Sequence, residues 1–309
     1  MNLNPINQLN LYGLEKYLLD FINLYEIKKL PNKILLSGEK GLGKSTLSYH
    51  LINYILSNNE ENSYDKINFK INPNNTYFKQ TLNKANPNFF LVDLIDEKKN
   101  IDIEQIRNLI SNLNKSSFNN KPRFVLIDNV DLMNTNSVNA LLKILEEPSQ
   151  NIYFILINNN KKILDTLKSR CVNFKIFLPN EKIIDVTNKL LQNDISKYIN
   201  NELLTYYFTP GKVYDLVKFA NAYKYDLTQY DLLDFLKFIF KENVYKKDIF
   251  IKNIVFEFIE LYLRKNCFKT SSILNEQYSY YIKRISDIKT FNLDVESILI
   301  EFEYNLLNE

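Results

Sequence analysis

Tryptophan is absent, histidine occurs once and cysteine twice in the 309 residues of this chain. The lone histidine, His50, makes a Ser-His-Asp triad or a multi-histidine metal site hard to build. Cys171 and Cys267 lie too far apart to form a disulfide framework, and two cysteines cannot supply a four-cysteine zinc module, so no zinc is expected. Long apolar runs are also missing. The greasiest stretch, Ile249 to Leu263, is cut by Lys252, Glu257 and Glu260, whereas a spanning helix needs about 20 nearly uncharged residues. Met1 to Asn10 carries neither the basic nor the apolar segment of an export signal, so a cytoplasmic protein with no membrane partner is expected. Charge of one sign is scarce as well: 39 basic against 36 acidic residues leave +3, so any contact with nucleic acid must be local. A composition 45% hydrophobic and 24% charged is that of a globular chain, with length for about two domains. The excess of Asn, Lys, Ile, Tyr and Phe reflects an AT-rich coding sequence and carries no functional weight.

Only five glycines occur, and Gly38, Gly41 and Gly43 crowd together. Glycine costs entropy on folding and is kept where the backbone needs positive φ or must approach a ligand closely. The eight prolines end at Pro210, and beyond Gly211 there is neither glycine nor proline. There apolar residues recur at helical spacing, as in Leu232, Leu233, Leu236, Ile239 and Phe240, which predicts a helical bundle. Earlier, Ile34 to Leu36, Phe89 to Val92, Phe124 to Ile127 and Ile152 to Ile157 are short continuous apolar runs, as expected of strands buried on both faces of a parallel sheet. Helical stretches separate them, one opening at Asp102 with Ile103, Ile106, Ile110 and Leu113 on one face. The predicted fold class is α/β followed by all-α: a doubly wound sheet, with its ligand beyond the strand C-termini, and then helices. The Asn-rich pieces Ser57 to Ser63 and Asn72 to Asn75 read as surface loops.

Gly38 to Ser45 fits G-x-x-x-x-G-K-[ST] between a predicted strand and a predicted helix, the context this phosphate loop requires. Glycines let the N–H groups curl inward, the helix adds its positive end, Lys44 reaches the β/γ-phosphates and the Ser45 hydroxyl can ligate magnesium. The bland alternative is a glycine turn that caps a helix. Thr46 follows in the first turn. Asp128, ending the Phe124 to Ile127 run, supplies a magnesium-side carboxylate. The next residue is Asn129, which can orient water but cannot accept its proton at neutral pH. Bound ATP or ADP with Mg²⁺ is therefore expected, and fast hydrolysis is not.

Together with the Asn139 to Pro148 stretch and Ser169-Arg170-Cys171, these motifs closely resemble the bacterial DNA polymerase III clamp-loader subunits of the AAA+ superfamily, over the first two-thirds of the chain. Within that family the resemblance is to the non-motor, delta-prime type. Motor subunits carry Asp-Glu where this chain has Asp128-Asn129, and they carry a four-cysteine zinc module that this chain lacks. Leu164 to Cys171 also looks more like the delta-prime version. The intact phosphate loop pulls toward the alternative, an ATP-hydrolysing gamma/tau-type motor. The resemblance implies a P-loop domain over residues 1–177, a helical lid over 178–224 and a collar domain over 225–309. It implies gamma/tau-type and delta-type subunits, a sliding clamp and primed DNA as partners.

Roles follow by position. Arg170 matches an arginine finger that completes a neighbour's ATP site; without the resemblance it is a surface arginine ending a helix. Asn158 falls near the position that senses the γ-phosphate. Lys212, in Thr209-Pro210-Gly211-Lys212, takes the place of a second cationic sensor, although Pro-Gly before a helix is also a plain start signal. Arg107 and Lys143 match positions that face template-strand phosphates; otherwise both are solvated helix charges. Cys171 reads as a small buried residue. His50, on the phosphate-loop helix but away from the phosphates, reads as a packing or surface histidine.

Overall fold

The computed structural model describes residues 3–95, 98–116, 119–146, 151–204, 208–267, 272–291 and 293–304. Glu147 and Pro148 of the family-like stretch lie outside the described residues. The chain forms two compact units, Met1–Val186 and Thr187–Glu309, and the boundary between them falls inside a helix.

The first unit holds α1 (Glu15–Glu26), β1 (Lys33–Ser37), α2 (Lys44–Ser57), α3 (Thr76–Leu82), β2 (Phe89–Val92), α4 (Ile103–Leu113), β3 (Arg123–Ile127), α5 (Thr135–Glu146), β4 (Ile152–Asn158), α6 (Asp165–Lys168) and β5 (Val172–Lys175), and most of α7 (Asn180–Leu191). The strands form one sheet in the order β2-β3-β4-β1-β5, and every pairing is parallel. All four apolar runs became strands. Their residues alternate between two cores, as period-two side-chain geometry demands. Ile34, Leu36, Phe124, Leu126, Ile155 and Ile157 face the core shared with α1 and α2. Leu35, Val125, Ile127, Phe154 and Leu156 face the core shared with α4 and α5. Helices on both faces explain why these strands read as unbroken apolar runs. The edge strand β5, Val-Asn-Phe-Lys, has exposed ends and no such run, so the sequence offered no sign of it.

Two local expectations are corrected. Asn75 and Ser57, placed on surface loops by their Asn-rich surroundings, are fully buried. Each is satisfied by hydrogen bonds: Asn75 Oδ1 accepts from Phe78 N (2.9 Å) and caps α3, Asn75 Nδ2 donates to Asn62 O (2.7 Å), and Ser57 Oγ accepts from Tyr64 N (3.1 Å). His50 is fully buried too. Its Nε2 bonds Gln8 O (3.1 Å) and its Nδ1 bonds the Tyr64 hydroxyl (2.8 Å), which makes it a packing residue.

The second unit is helical among its described residues: the end of α7, then α8 (Pro210–Tyr223), α9 (Leu232–Lys241), α10 (Val244–Lys247), α11 (Ile249–Cys267), α12 (Ser272–Phe291) and α13 (Val295–Phe302). Asp231 and Asp294 accept from the first-turn N–H groups of α9 and α13, and Pro210 opens α8 behind a Thr209 cap. One apolar cluster runs through this unit from Ile195 to Phe302, including Leu216 and Phe219 of α8 and Phe235 and Phe258 of α9 and α11. No helix among the described residues is long and apolar enough to cross a membrane.

Candidate functional site

Strand β1 sits between β4 and β5, while the chain leaves it for β2 at the far edge. Such a reversal opens a crevice at the strand C-termini, where ligands of open α/β sheets bind. The loop from Gly38 to Gly43 lies at the C-terminal end of β1. Gly41 (φ 89°) and Gly43 (φ 88°) adopt the left-handed backbone that L side chains avoid. Gly38 is needed for space, because a Cβ there would meet Ile176 O at 2.5 Å.

Lys44 begins α2 and is 3% exposed. Its Nζ donates to Gly38 O (2.8 Å), Glu39 O (2.7 Å) and Asn159 Oδ1 (3.1 Å), so every N–H of the ammonium has an acceptor. Burial lowers its pKa to about 8, against the opposing pull of Asp128, Glu39 and Asp131. Ser45 Oγ donates to Asp128 Oδ2. Asp128, at the end of β3, has its pKa raised, mainly by burial. Thr46, half-buried, completes the first turn. The donor set fits a magnesium nucleotide: a glycine loop with left-handed Gly41 and Gly43, a helix N-terminus and a buried ammonium for the phosphates, and a hydroxyl beside a carboxylate for a hard cation. Among the described residues no cluster of His, Cys, Asp or Glu could hold a metal unaided.

The residue after Asp128 is committed elsewhere. Asn129 takes a left-handed backbone (φ 58°), which Asn tolerates. Its Nδ2 donates to Asp93 Oδ1 and its Oδ1 accepts from Asn159 Nδ2, both at 2.8 Å. Asp131, two residues on, is held by other partners: its Oδ1 accepts from Asn159 N (3.1 Å) and its Oδ2 lies 3.4 Å from Lys161 Nζ.

Asn158 does not reach the lysine. It pairs with Ser37 as the last residue of β4, and its amide closes on the backbone of Lys161 (3.0 and 3.2 Å). Asn159 is the residue that joins Lys44 to Asn129. The sequence missed it because three successive asparagines left the register open. It also missed Asp93, which follows β2; no motif marks that position.

Arg170 follows α6 and is partly exposed. One guanidinium nitrogen donates to Thr166 O (2.9 Å) and the other pairs with Glu146 at the end of α5. Cys171 packs against the α4–α5 core, and burial pushes its thiol up to about 11, so it is not a nucleophile at neutral pH. Arg107 on α4 is exposed and pairs with Glu104 (2.6 Å), and Lys143 is exposed on α5, which packs against α4. In the second unit Lys212 Nζ bonds Glu257 Oε1.

A glycine loop between β1 and α2, with its lysine and serine set against the aspartate of β3, defines the first unit as a P-loop α/β domain. The chain belongs to the family described as DNA polymerase III, delta subunit, whose profile matches residues 13–179. It is 31% identical over 187 residues to DNA polymerase III subunit delta' of Buchnera aphidicola subsp. Schizaphis graminum, covering 58% of this chain and 52% of that protein. It is 30% identical over 191 residues to the same organism's DNA polymerase III subunit gamma, covering 60% of this chain and 49% of that protein. The chain thus spans about half the length of the curated relatives it matches. A solved structure of a gamma subunit-related protein from Thermotoga maritima aligns over 94% of this chain and 92% of its own, at 19% identity and a TM-score of 0.42.

Proposed function

We propose that this chain is a delta-prime-type stator of a DNA polymerase III clamp loader, acting with gamma/tau-type and delta-type subunits to place a sliding clamp on primed DNA in the cytoplasm. The observation that carries the reading is the state of Asn129. The position that needs a proton acceptor holds an amide, and both ends of that amide are already bonded, to Asn159 and to Asp93. Water beside the phosphates has no base there, so the loop holds nucleotide without turning it over quickly.

Lys44, the loop N–H groups and Ser45 with Asp128 hold the nucleotide and its magnesium ion, and the cation offsets phosphate charge when bound. Arg170 is donated in trans. It leaves Glu146 and directs its guanidinium at a neighbour's γ-phosphate, where such fingers are worth about 10³ to 10⁵ in rate. Arg107 and Lys143, on packed helices, bind backbone phosphates of the template strand. The lid (178–224) and the collar (225–309) place the P-loop domain within the ring.

The test is DNA- and clamp-stimulated ATP hydrolysis by the reconstituted loader, with Arg170→Ala or Lys44→Ala in this subunit alone. The stator reading expects collapse with Arg170→Ala and near-normal turnover with Lys44→Ala. The intact phosphate loop keeps the motor alternative alive, and the reverse pattern would establish it.

A further inference from the structure

We propose that the nucleotide site selects a diphosphate over a triphosphate, and that Asp93 sets this preference through a polarised chain of two amides. The inference rests on reading the phosphate loop as a nucleotide site. It goes beyond that reading by naming which nucleotide the site takes and which residue decides.

Four side chains form an unbroken line: Lys44, Asn159, Asn129 and Asp93. Lys44 Nζ donates to Asn159 Oδ1 (3.1 Å), Asn159 Nδ2 donates to Asn129 Oδ1 (2.8 Å), and Asn129 Nδ2 donates to Asp93 Oδ1 (2.8 Å). An ammonium only donates and a carboxylate only accepts, so the two ends fix which way both amides point. Asp131 reinforces the choice, since its Oδ1 lies 3.5 Å from Asn159 Nδ2 and accepts from Asn159 N. Asp93 is itself held in place, with Oδ1 accepting from Leu94 N (2.7 Å) and its carbonyl from Gln105 Nε2 of α4 (2.8 Å).

The consequence lies beside Lys44, where the chain presents an oxygen lone pair and no donor. A β-phosphate oxygen can replace Gly38 O or Glu39 O as an acceptor from Lys44 while Asn159 stays in place. A γ-phosphate, which a phosphate-loop lysine also reaches, adds further oxygens around Lys44, and any on the Asn159 side would meet Oδ1, acceptor against acceptor. Turning the Asn159 amide to offer Nδ2 breaks its bond to Asn129 and swings Oδ1 toward the Asp131 carboxylate. A triphosphate therefore carries a penalty that a diphosphate does not, the loss of hydrogen bonds within a charged network, equivalent to about tenfold in affinity.

The experiment is calorimetric titration of the full chain with Mg·ADP and with Mg·ATP, in wild type, Asp93→Ala and Asn159→Leu. Wild type is expected to bind ADP about tenfold more tightly than ATP. In Asp93→Ala the carboxylate that fixes the polarity is gone, so both amides can reverse and turn Asn159 Nδ2 toward the phosphates; an amide at 93 would not serve, because Leu94 N would hold its oxygen where Asp93 Oδ1 now accepts from Asn129. ATP affinity should rise until the two nucleotides are nearly equal, with ADP affinity little changed. Asn159→Leu removes the opposing oxygen and should also bring the ratio near one, which keeps the test intact if the Asp93 variant folds poorly. Equal affinities in wild type overturn the inference and leave the nucleotide site standing. A preference for ADP that survives Asp93→Ala overturns the role of Asp93. Failure to bind either nucleotide overturns both the inference and the nucleotide-site reading.

Discussion

Lys212 Nζ and Glu257 Oε1 lie 2.6 Å apart, an ion pair between α8 and α11 with both side chains mostly buried. The sensor role that the resemblance implies for Lys212 requires it to leave this carboxylate. Removing the cation from a partly buried pair uncovers the desolvation cost of the remaining charge. Lys212→Met is therefore expected to lower the stability of the full chain by about 2 kcal/mol, measured by urea denaturation. The double variant Lys212→Met/Glu257→Leu should recover most of that loss. Additive losses would mean that the two residues do not act as a pair.

His50 gives the fold an acid sensitivity of defined sign. Burial lowers its pKa from 6.5 to about 4, against the bond to Gln8 O. The unfolded chain takes up the proton below about pH 6.5, whereas the folded chain resists until about pH 4. The stability contributed by neutral His50 is thus complete above pH 6.5 and is lost as pH falls through that window, by about 3 kcal/mol in all. Subtracting the stability curve of His50→Gln from that of wild type should isolate this slope. Parallel curves between pH 7 and pH 4 would show that the histidine does not titrate there.

Nucleotide affinity should depend on pH through Lys44. Its pKa of about 8 rises when phosphates replace the loop carbonyls as its acceptors, so binding takes up a proton above pH 8. Affinity is expected to be flat below pH 8 and to fall by up to about tenfold per pH unit above it, until the pKa of the bound form is reached. Titrations in buffers of different ionisation enthalpy count the proton directly. Lys44→Arg, whose guanidinium stays charged, should bind with no such fall.

Strand placement and the phosphate loop were legible because both are local. An apolar run buried on two faces, and a glycine pattern between strand and helix, need only their neighbours in sequence. Edge strand β5 was not legible, since Val172 and Lys175 stay exposed and the alternation is too short to read. The Asn129 side of the site was half legible. The missing glutamate could be read from the chain, but the partners that hold Asn129, Asp93 and Asn159, come from the ends of other strands and meet it only in the folded sheet. The Glu146 partner of Arg170 and the Glu257 partner of Lys212 are hidden for the same reason.

The position of Asp93 also determines what restoring a base would require. Asn129→Glu alone sets a second carboxylate within hydrogen-bonding distance of Asp93, where two negative charges repel and the new group is held protonated at neutral pH. The left-handed backbone at 129 adds a further cost of about 1 kcal/mol for a glutamate. The single variant is therefore expected to show little hydrolysis. Asn129→Glu/Asp93→Ala removes the repulsion, which leaves the carboxylate ionised and able to take a proton from water. A positioned base is worth about 10² to 10⁴ in rate. Single-turnover hydrolysis by the double variant within the reconstituted loader should rise over wild type by at least the lower end of that range, and a further Lys44→Ala change should abolish the gain. If the single variant were as active as the double, Asp93 would not restrain position 129. If neither gained activity, more than a base would be missing from this site.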